Sequence, residues 1–245
     1  MQIIVTRTFA GASDYVAEII ADLVLSKPTA KLGLATGSTP ERVYDKLADM
    51  HFKGLDFSRV STVNLDEYCG VTGDNPVSYR YYMNEKLFSH INVKPENIYV
   101  PSGINNPEEE LELFSYKIYN GKIDLQLLGI GPNGHVGFNE PGDKLHRAAH
   151  ITKLTQSTID ANARFFNDKS EVPTEAITMG MGDILSAASI VLLASGASKA
   201  DAVKALLMDD YITTQVPATF IKMHAAATVV IDYELANMIG YKVKG

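Results

Sequence analysis

A chain of 245 residues with 46% hydrophobic and 21% charged side chains has the make-up of one ordinary globular α/β domain. A formal charge of −7 and a pI near 5.4 argue against nucleic acid or an anionic membrane as partner, so an anionic ligand would need a few local basic groups and backbone amides to hold it. Cys69 is the one cysteine, which leaves no intrachain disulfide and suits a reducing cytosol.

The opening Met-Gln-Ile-Ile-Val-Thr reads as a strand start and not as a signal peptide. No uncharged apolar run reaches the roughly 18 residues that span a bilayer. Ile3–Thr6 is the first predicted strand, followed by a helix over Phe9–Leu25 with Ser13 and Asp14 near its start. Leu32–Ala35 is a second strand; Thr36-Gly-Ser-Thr-Pro40 breaks it, and Pro40 suits the first turn of a helix running to Met50. Val60–Leu65 is a third strand that ends at Asp66-Glu-Tyr68. A helix over Ser78–Phe88, a short strand at Ile98–Val100 and an acidic-topped helix over Pro107–Tyr119 follow. Ile123–Leu128 reads as a buried strand, and Ser157–Phe166 as a helix. The last third repeats the rhythm. It has strands at Ala176–Met179, Ile190–Ala194 and Thr228–Ile231, with helical pieces at Met181–Ala187, Ala197–Met208 and Ala218–Met223. Strands alternating with helices indicate a mostly parallel sheet with helices on both faces, a three-layer α/β sandwich. No linker, repeat or low-complexity tract divides it, so a single domain over 1–245 is expected.

The stretch from Gly129 to Gly142, Gly-Ile-Gly-Pro-Asn-Gly-His-Val-Gly-Phe-Asn-Glu-Pro-Gly, is the most informative in the chain. Gly129, Gly131 and Gly134 match the dinucleotide fingerprint, but Gly137, Pro141 and Gly142 break the helix that the fingerprint needs. The stretch therefore reads as a loop at the carboxyl end of a strand, presenting His135 and Glu140 where open α/β sheets bind ligands. Leu34-Ala-Thr-Gly-Ser-Thr-Pro40 turns from a strand into a helix N-terminus, whose free N–H groups and dipole suit a phosphate; a plain helix cap by Ser38 or Thr39 reads equally well. Asp66 and Glu67 end an apolar strand on opposite faces, so one enters a pocket and the other makes a structural bond, unless the pair is a solvated turn. Arg164 and Lys199 can each neutralise an anion, or be surface cations. His146 and His150 are four apart without a metalloprotease Glu and read as structural or solvent-facing, and Cys69 as a packing residue.

These segments in this order resemble the glucosamine-6-phosphate deaminase family, whose members are also called glucosamine-6-phosphate isomerases. The residues that carry the likeness are Leu-Gly-Leu-Ala-Thr-Gly-Ser-Thr-Pro at 32–40, Asn-Leu-Asp-Glu-Tyr at 64–68, Gly-Ile-Gly-Pro-Asn-Gly-His-Val-Gly-Phe-Asn-Glu-Pro at 129–141 and Asn-Ala-Arg-Phe-Phe at 162–166. The resemblance implies a Rossmann-like fold without a nucleotide, no redox cofactor and no metal. It implies conversion of D-glucosamine 6-phosphate and water into D-fructose 6-phosphate and ammonia in the cytoplasm. Asp66 then matches the proton acceptor at C2, His135 the ring-opening acid/base supported by Glu140, and Asn133 the third ring-opening position. Gly37, Ser38, Thr39, Arg164 and Lys199 match positions around the substrate phosphate. Histidine titrates near neutrality and suits a proton transfer between the C1 hydroxyl and the ring oxygen.

Two departures bear on mechanism and regulation. Many longer members carry Asp where this chain has Asn133, so electrostatic support for His135 falls mainly to Glu140. Where the basic effector ligands of long hexameric members would fall, this chain has His150 and Thr152, and it stops at Gly245. An unregulated, short-type enzyme is expected, either a monomer or a small homo-oligomer. The competing readings are a 6-phosphogluconolactonase, which releases no ammonia, and a sugar-phosphate sensor without turnover.

Overall fold

The computed structural model describes residues 1–156, 159 and 172–242. Along the chain come β1 (Gln2–Thr6), α1 (Phe9–Ser26), β2 (Lys31–Leu34), α2 (Glu41–Phe52), β3 (Ser61–Asn64), β4 (Asp66–Tyr68), α3 (Tyr79–Lys86), β5 (Ile98–Tyr99), α4 (Pro107–Tyr119) and β6 (Leu125–Leu128). After them come β7 (His150–Lys153), β8 (Glu175–Thr178), α5 (Met181–Leu185), β9 (Ser189–Ala194), α6 (Ala200–Leu207), β10 (Ala227–Asp232) and α7 (Tyr233–Met238).

Seven strands form one sheet in the order β1-β10-β9-β6-β2-β3-β5. Every neighbouring pair in it is parallel. Parallel strands need crossover helices, and these cover both faces. Leu32, Leu34, Leu125, Leu127, Val191 and Leu193 pack against α1 and α2 on one face, through Val16, Ile20, Tyr44 and Leu47. Val63, Leu128, Ile190, Leu192 and Val229 pack against Phe114 of α4 and Val203 and Leu206 of α6 on the other. Burial on both faces is why these strands read as continuous apolar runs.

The strand order changes direction between β2 and β6. From β2 the chain adds β3 and β5 on one side, then crosses to β6 on the other. Loops leaving the carboxyl ends of β2 and β6 therefore part in opposite directions and open a crevice, the usual ligand position in such sheets. The buried Gln126 side chain of β6 lies over Gly33 of β2, where a Cβ would stand 2.0 Å from its Oε1.

A second sheet of three antiparallel strands, β4-β8-β7, was not anticipated. The expected strand at 176–179 belongs to it and not to the parallel sheet. Leu65 is the hinge: its N–H still bonds Leu34 of the large sheet, while its carbonyl accepts from Met179 beyond β8. The stretch expected as a helix from Ala197 starts as a 3-10 turn, Ala197–Lys199, ahead of α6. The helix expected over Ser157–Phe166 lies outside the described residues, apart from Ile159.

Candidate active site

β6 delivers the chain into the glycine-rich loop, which folds back on itself. Gly131 N–H bonds the His135 carbonyl at 2.9 Å and Gly134 N–H bonds the Gly131 carbonyl at 3.0 Å. Gly134 and Gly137 take positive φ of 85° and 57°, which glycine adopts without a Cβ penalty. The loop is fastened to a distant segment: Ala218 N–H bonds the Gly134 carbonyl, Gly142 N–H bonds the Thr214 carbonyl, and Gln215 donates to the Gly142 carbonyl. The side chain of buried Asn139 donates to the carbonyls of Val136 and Met179.

Three side chains of this loop form one contacting group. His135 Nδ1 lies 3.0 Å from Glu140 Oε1. Asn133 Nδ2 donates to Glu140 Oε2 at 2.7 Å, and Asn133 Oδ1 accepts the His135 backbone N–H at 3.1 Å. Both carboxylate oxygens of Glu140 thus face a nitrogen of the group. A carboxylate at 133 could not donate to Glu140, so the carboxamide makes a bond here that Asp would need an extra proton to make.

The imidazole lies flat over Gly131. A Cβ built there would stand 2.4 Å from Nε2 and 2.5 Å from Cδ2 and Cε1. The backbone at 131 suits any residue, so the glycine is required by the ring and not by φ. Gly131→Ala is expected to keep the fold, because a side chain can give way, but to swing the imidazole off Glu140. We expect kcat to fall about 10²-fold with the melting temperature within a few degrees of wild type, and steady-state rates with a thermal melt check it.

Asp66 and Glu67 separate as alternation along a strand requires. The Glu67 carboxylate accepts the backbone N–H groups of Tyr68 and Tyr79 at 2.9 Å and of Arg80 at 3.0 Å, and so caps α3. Asp66 is 5% exposed and accepts no hydrogen bond among the described residues. Its Oδ2 lies 3.3 Å from where a Cβ on Gly137 would stand, two residues along the loop from His135. Burial, then the adjacent charge of Glu67, pushes the Asp66 carboxyl up to about 8. Burial raises Glu67 as well, against the opposing pull of its three N–H donors.

The turn after β2 carries Gly37 at φ 100°, with Gly37 and Ser38 exposed and Thr39 partly so. The cap reading fails: Pro40 occupies the N-cap of α2 and no side chain caps that end. Neither the Ser38 nor the Thr39 hydroxyl has a partner among the described residues. The phenol of Tyr44 donates to the Ala35 carbonyl and that of Tyr82 to the Gly37 carbonyl, pinning the turn from beneath. Lys199 ends the 3-10 turn after β9, at the same sheet edge, because β9, β6 and β2 are adjacent and parallel. Arg164 lies outside the described residues. The rings of His146 and His150 stack at 4.1 Å, and among the described residues no group of three or more His, Cys, Asp or Glu could hold a metal.

The structure thus brings Asn133, His135 and Glu140 into direct contact, sets Asp66 beside their loop and places the Gly37 turn and Lys199 on the same rim. Tyr82 is the residue that sequence reasoning missed; an aromatic in a helix gives no sign that its hydroxyl reaches a turn 45 residues away.

A model of the family described as glucosamine-6-phosphate isomerases/6-phosphogluconolactonase matches residues 6–230. The chain belongs to that family. It is 48% identical over 242 residues to a glucosamine-6-phosphate deaminase of Clostridium beijerinckii, covering 98% of this chain and 100% of the relative. It is 44% identical, with the same coverage, to one of Halothermothrix orenii. Among solved structures, a monomeric glucosamine-6-phosphate deaminase superposes with a TM-score of 0.93 at 43% identity, covering 97% of this chain and 100% of that one. A 6-phosphogluconolactonase from Trypanosoma cruzi superposes at 0.76 with 18% identity over 96% of each chain, a likeness of fold alone within this family.

Proposed function

We propose that the chain is a glucosamine-6-phosphate deaminase that isomerises D-glucosamine 6-phosphate and releases ammonia. The observation that carries this reading over the lactonase is the pairing of a buried carboxylate, Asp66, with the Asn133–His135–Glu140 group across one loop. Lactone hydrolysis needs no base at a sugar C2. The deaminases of 44–48% identity across the whole chain point the same way, since the lactonase structures share only the fold.

The free hydroxyls of Ser38 and Thr39, the N–H groups at the start of α2 and the Lys199 ammonium hold the phosphate, with Arg164 as the further cation. With that end fixed, the closed sugar lies across the crevice toward the loop after β6. His135, oriented by Glu140, moves a proton between the C1 hydroxyl and the ring oxygen and opens the ring. Asp66 takes the C2 proton of the open form and returns it to C1. That converts an aldose-level centre to a ketose-level iminium, and water then displaces ammonia. An acid held near 8 in the free protein is a strong base once ionised, and the substrate ammonium at C2 favours that ionised form on arrival. No step calls for a metal or a redox cofactor.

Among the described residues no helix is long and apolar enough to cross a membrane. We place the enzyme in the cytoplasm, acting on a small sugar phosphate with neither nucleic acid nor membrane as partner, as a monomer or small homo-oligomer. Purified protein given glucosamine 6-phosphate should yield equimolar ammonia and fructose 6-phosphate. Hydrolysis of 6-phosphogluconolactone without ammonia from the amino sugar would reverse the assignment, and binding without turnover would make the chain a sensor. The rate curve should be hyperbolic and indifferent to N-acetylglucosamine 6-phosphate; a sigmoidal curve straightened by that effector would refute the unregulated reading.

A further inference from the structure

Helix α3 touches all three stretches of the candidate site. Its first two N–H groups, Tyr79 and Arg80, bond the Glu67 carboxylate next to Asp66. Its Tyr82 hydroxyl donates to the Gly37 carbonyl at 2.6 Å. The Tyr79 ring stacks on Phe138 of the loop after β6, with centroids 6.1 Å apart and planes 7° from parallel, and Tyr68 of β4 packs against the same Phe138 at 5.7 Å. At their roots these elements are joined by the Leu65 N–H on the Leu34 carbonyl and the Phe138 N–H on the Thr178 hydroxyl, but the Gly37 turn itself lies outside any ladder and is held from α3.

The bond at Gly37 has a directional effect. A peptide unit is planar and trans, so its C=O and the following N–H point in opposite directions. Holding the Gly37 carbonyl down onto α3 aims the Ser38 N–H the other way, to the open side of the turn. Glu67 acts at the other end. Its side chain leaves the strand on the face opposite Asp66, so seating it on α3 fixes the roll of β4 and with it the direction of the Asp66 carboxylate.

We infer that α3 is the strut that sets the separation between the phosphate turn and the C2 base, with Tyr82 and Glu67 as its two positioning residues. This deepens the proposed function and rests on that reading of the site. Neither residue is assigned contact with the substrate; each acts through a neighbour.

The test uses Tyr82→Phe, Glu67→Gln and the double variant of the full chain. The readings are kcat, KM, thermal melting and calorimetric titration with inorganic phosphate. Wild-type turnover of glucosamine 6-phosphate is the separate control for the function itself; if it fails, phosphate titration still tests the strut. Tyr82→Phe should melt within a few degrees of wild type yet lose kcat about tenfold as well as raising KM, because the anchored sugar no longer meets the base in register. Glu67→Gln should weaken phosphate binding about threefold, although its side chain touches no residue of the turn, and losses in the double variant should fall short of the product of the single ones. A Tyr82→Phe variant changed in KM alone, phosphate affinity untouched by Glu67→Gln, or strictly multiplicative losses would overturn the strut. Should Glu67→Gln fail to fold, the kcat of Tyr82→Phe decides alone.

Discussion

Replacing Asp66 with Asn is expected to stop turnover and, at alkaline pH, to stabilise the fold. The carboxamide keeps the shape of the side chain but cannot accept a carbon-bound proton. Removing a positioned base of this kind costs between about 10² and 10⁴ in kcat. Binding of the sugar phosphate should survive, since the phosphate turn is untouched. Stability should move in the opposite direction. Asp66 has an ordinary value of 3.8 and is pushed to about 8 in the folded chain, chiefly by burial. Below pH 3.8 the carboxyl is protonated in both states and costs nothing. As pH rises from there to 8 the unfolded chain releases the proton while the folded one keeps it, so wild type loses stability; above 8 the full cost is present. Asn carries no such cost. The melting temperature of the variant should therefore exceed that of wild type by an amount that grows from pH 4 to 8 and then levels, reaching about 5 °C or more. In wild type, kcat/KM should rise with pH toward a limb near 8, set by the free enzyme, while the limb in kcat lies lower because the bound ammonium favours the carboxylate. Thermal melts and pH–rate profiles over pH 4–9.5 read both effects. Near-normal turnover in Asp66→Asn would remove Asp66 from the chemistry.

Glu140→Gln is expected to be nearly as damaging, for a different reason. The carboxylate serves two nitrogens at once, His135 Nδ1 at 3.0 Å and Asn133 Nδ2 at 2.7 Å. A glutamine offers one oxygen and one NH2. Turned to keep its oxygen on the Asn133 amide, it sets its NH2 against the ring nitrogen and drives the imidazole to the opposite tautomer; turned the other way, its NH2 clashes with that of Asn133. The imidazole also loses the negative charge that its Nδ1 faces at 3.0 Å. Ring opening should slow by about 10²-fold or more. An acyclic 6-phosphate analogue, which needs no ring opening, should bind the variant as it binds wild type. Turnover at the wild-type rate would show that Glu140 is dispensable. An equal loss of analogue binding would show that the variant damages the pocket and not the proton transfer.

The parallel sheet and its covering helices were legible because inner strands such as β9 and β10 are apolar on both faces and the acidic first turn Pro107-Glu-Glu-Glu110 marks the start of α4, which the Asn106 side chain caps. The glycine-rich loop was legible because breakers recur too closely for any helix. The second sheet was not. Its pairs join Asp66 to Thr178 and His150 to Thr178, and pairing between residues so far apart in the chain leaves no local period. β7, four residues partly open to solvent, carries no alternation to read, and α7 starts directly on Asp232, which ends β10 and caps the helix in one position. The choice between Asp66 and Glu67 was open from the residues alone. Alternation says that two neighbours face apart, but which face is which depends on the departure of β4 from the sheet, and only the family resemblance favoured Asp66.

The three hydrogen bonds that tie Gly134 and Gly142 to residues 214–218 reach beyond the fold. They stitch the seat of the imidazole to a stretch of chain more than seventy residues downstream, so its shape is settled when the protein folds and not when the sugar arrives. Engineering that lengthens or loosens 209–216, a surface stretch that looks tolerant of insertion, would be felt as slower ring opening by an enzyme whose every reacting side chain had been left alone.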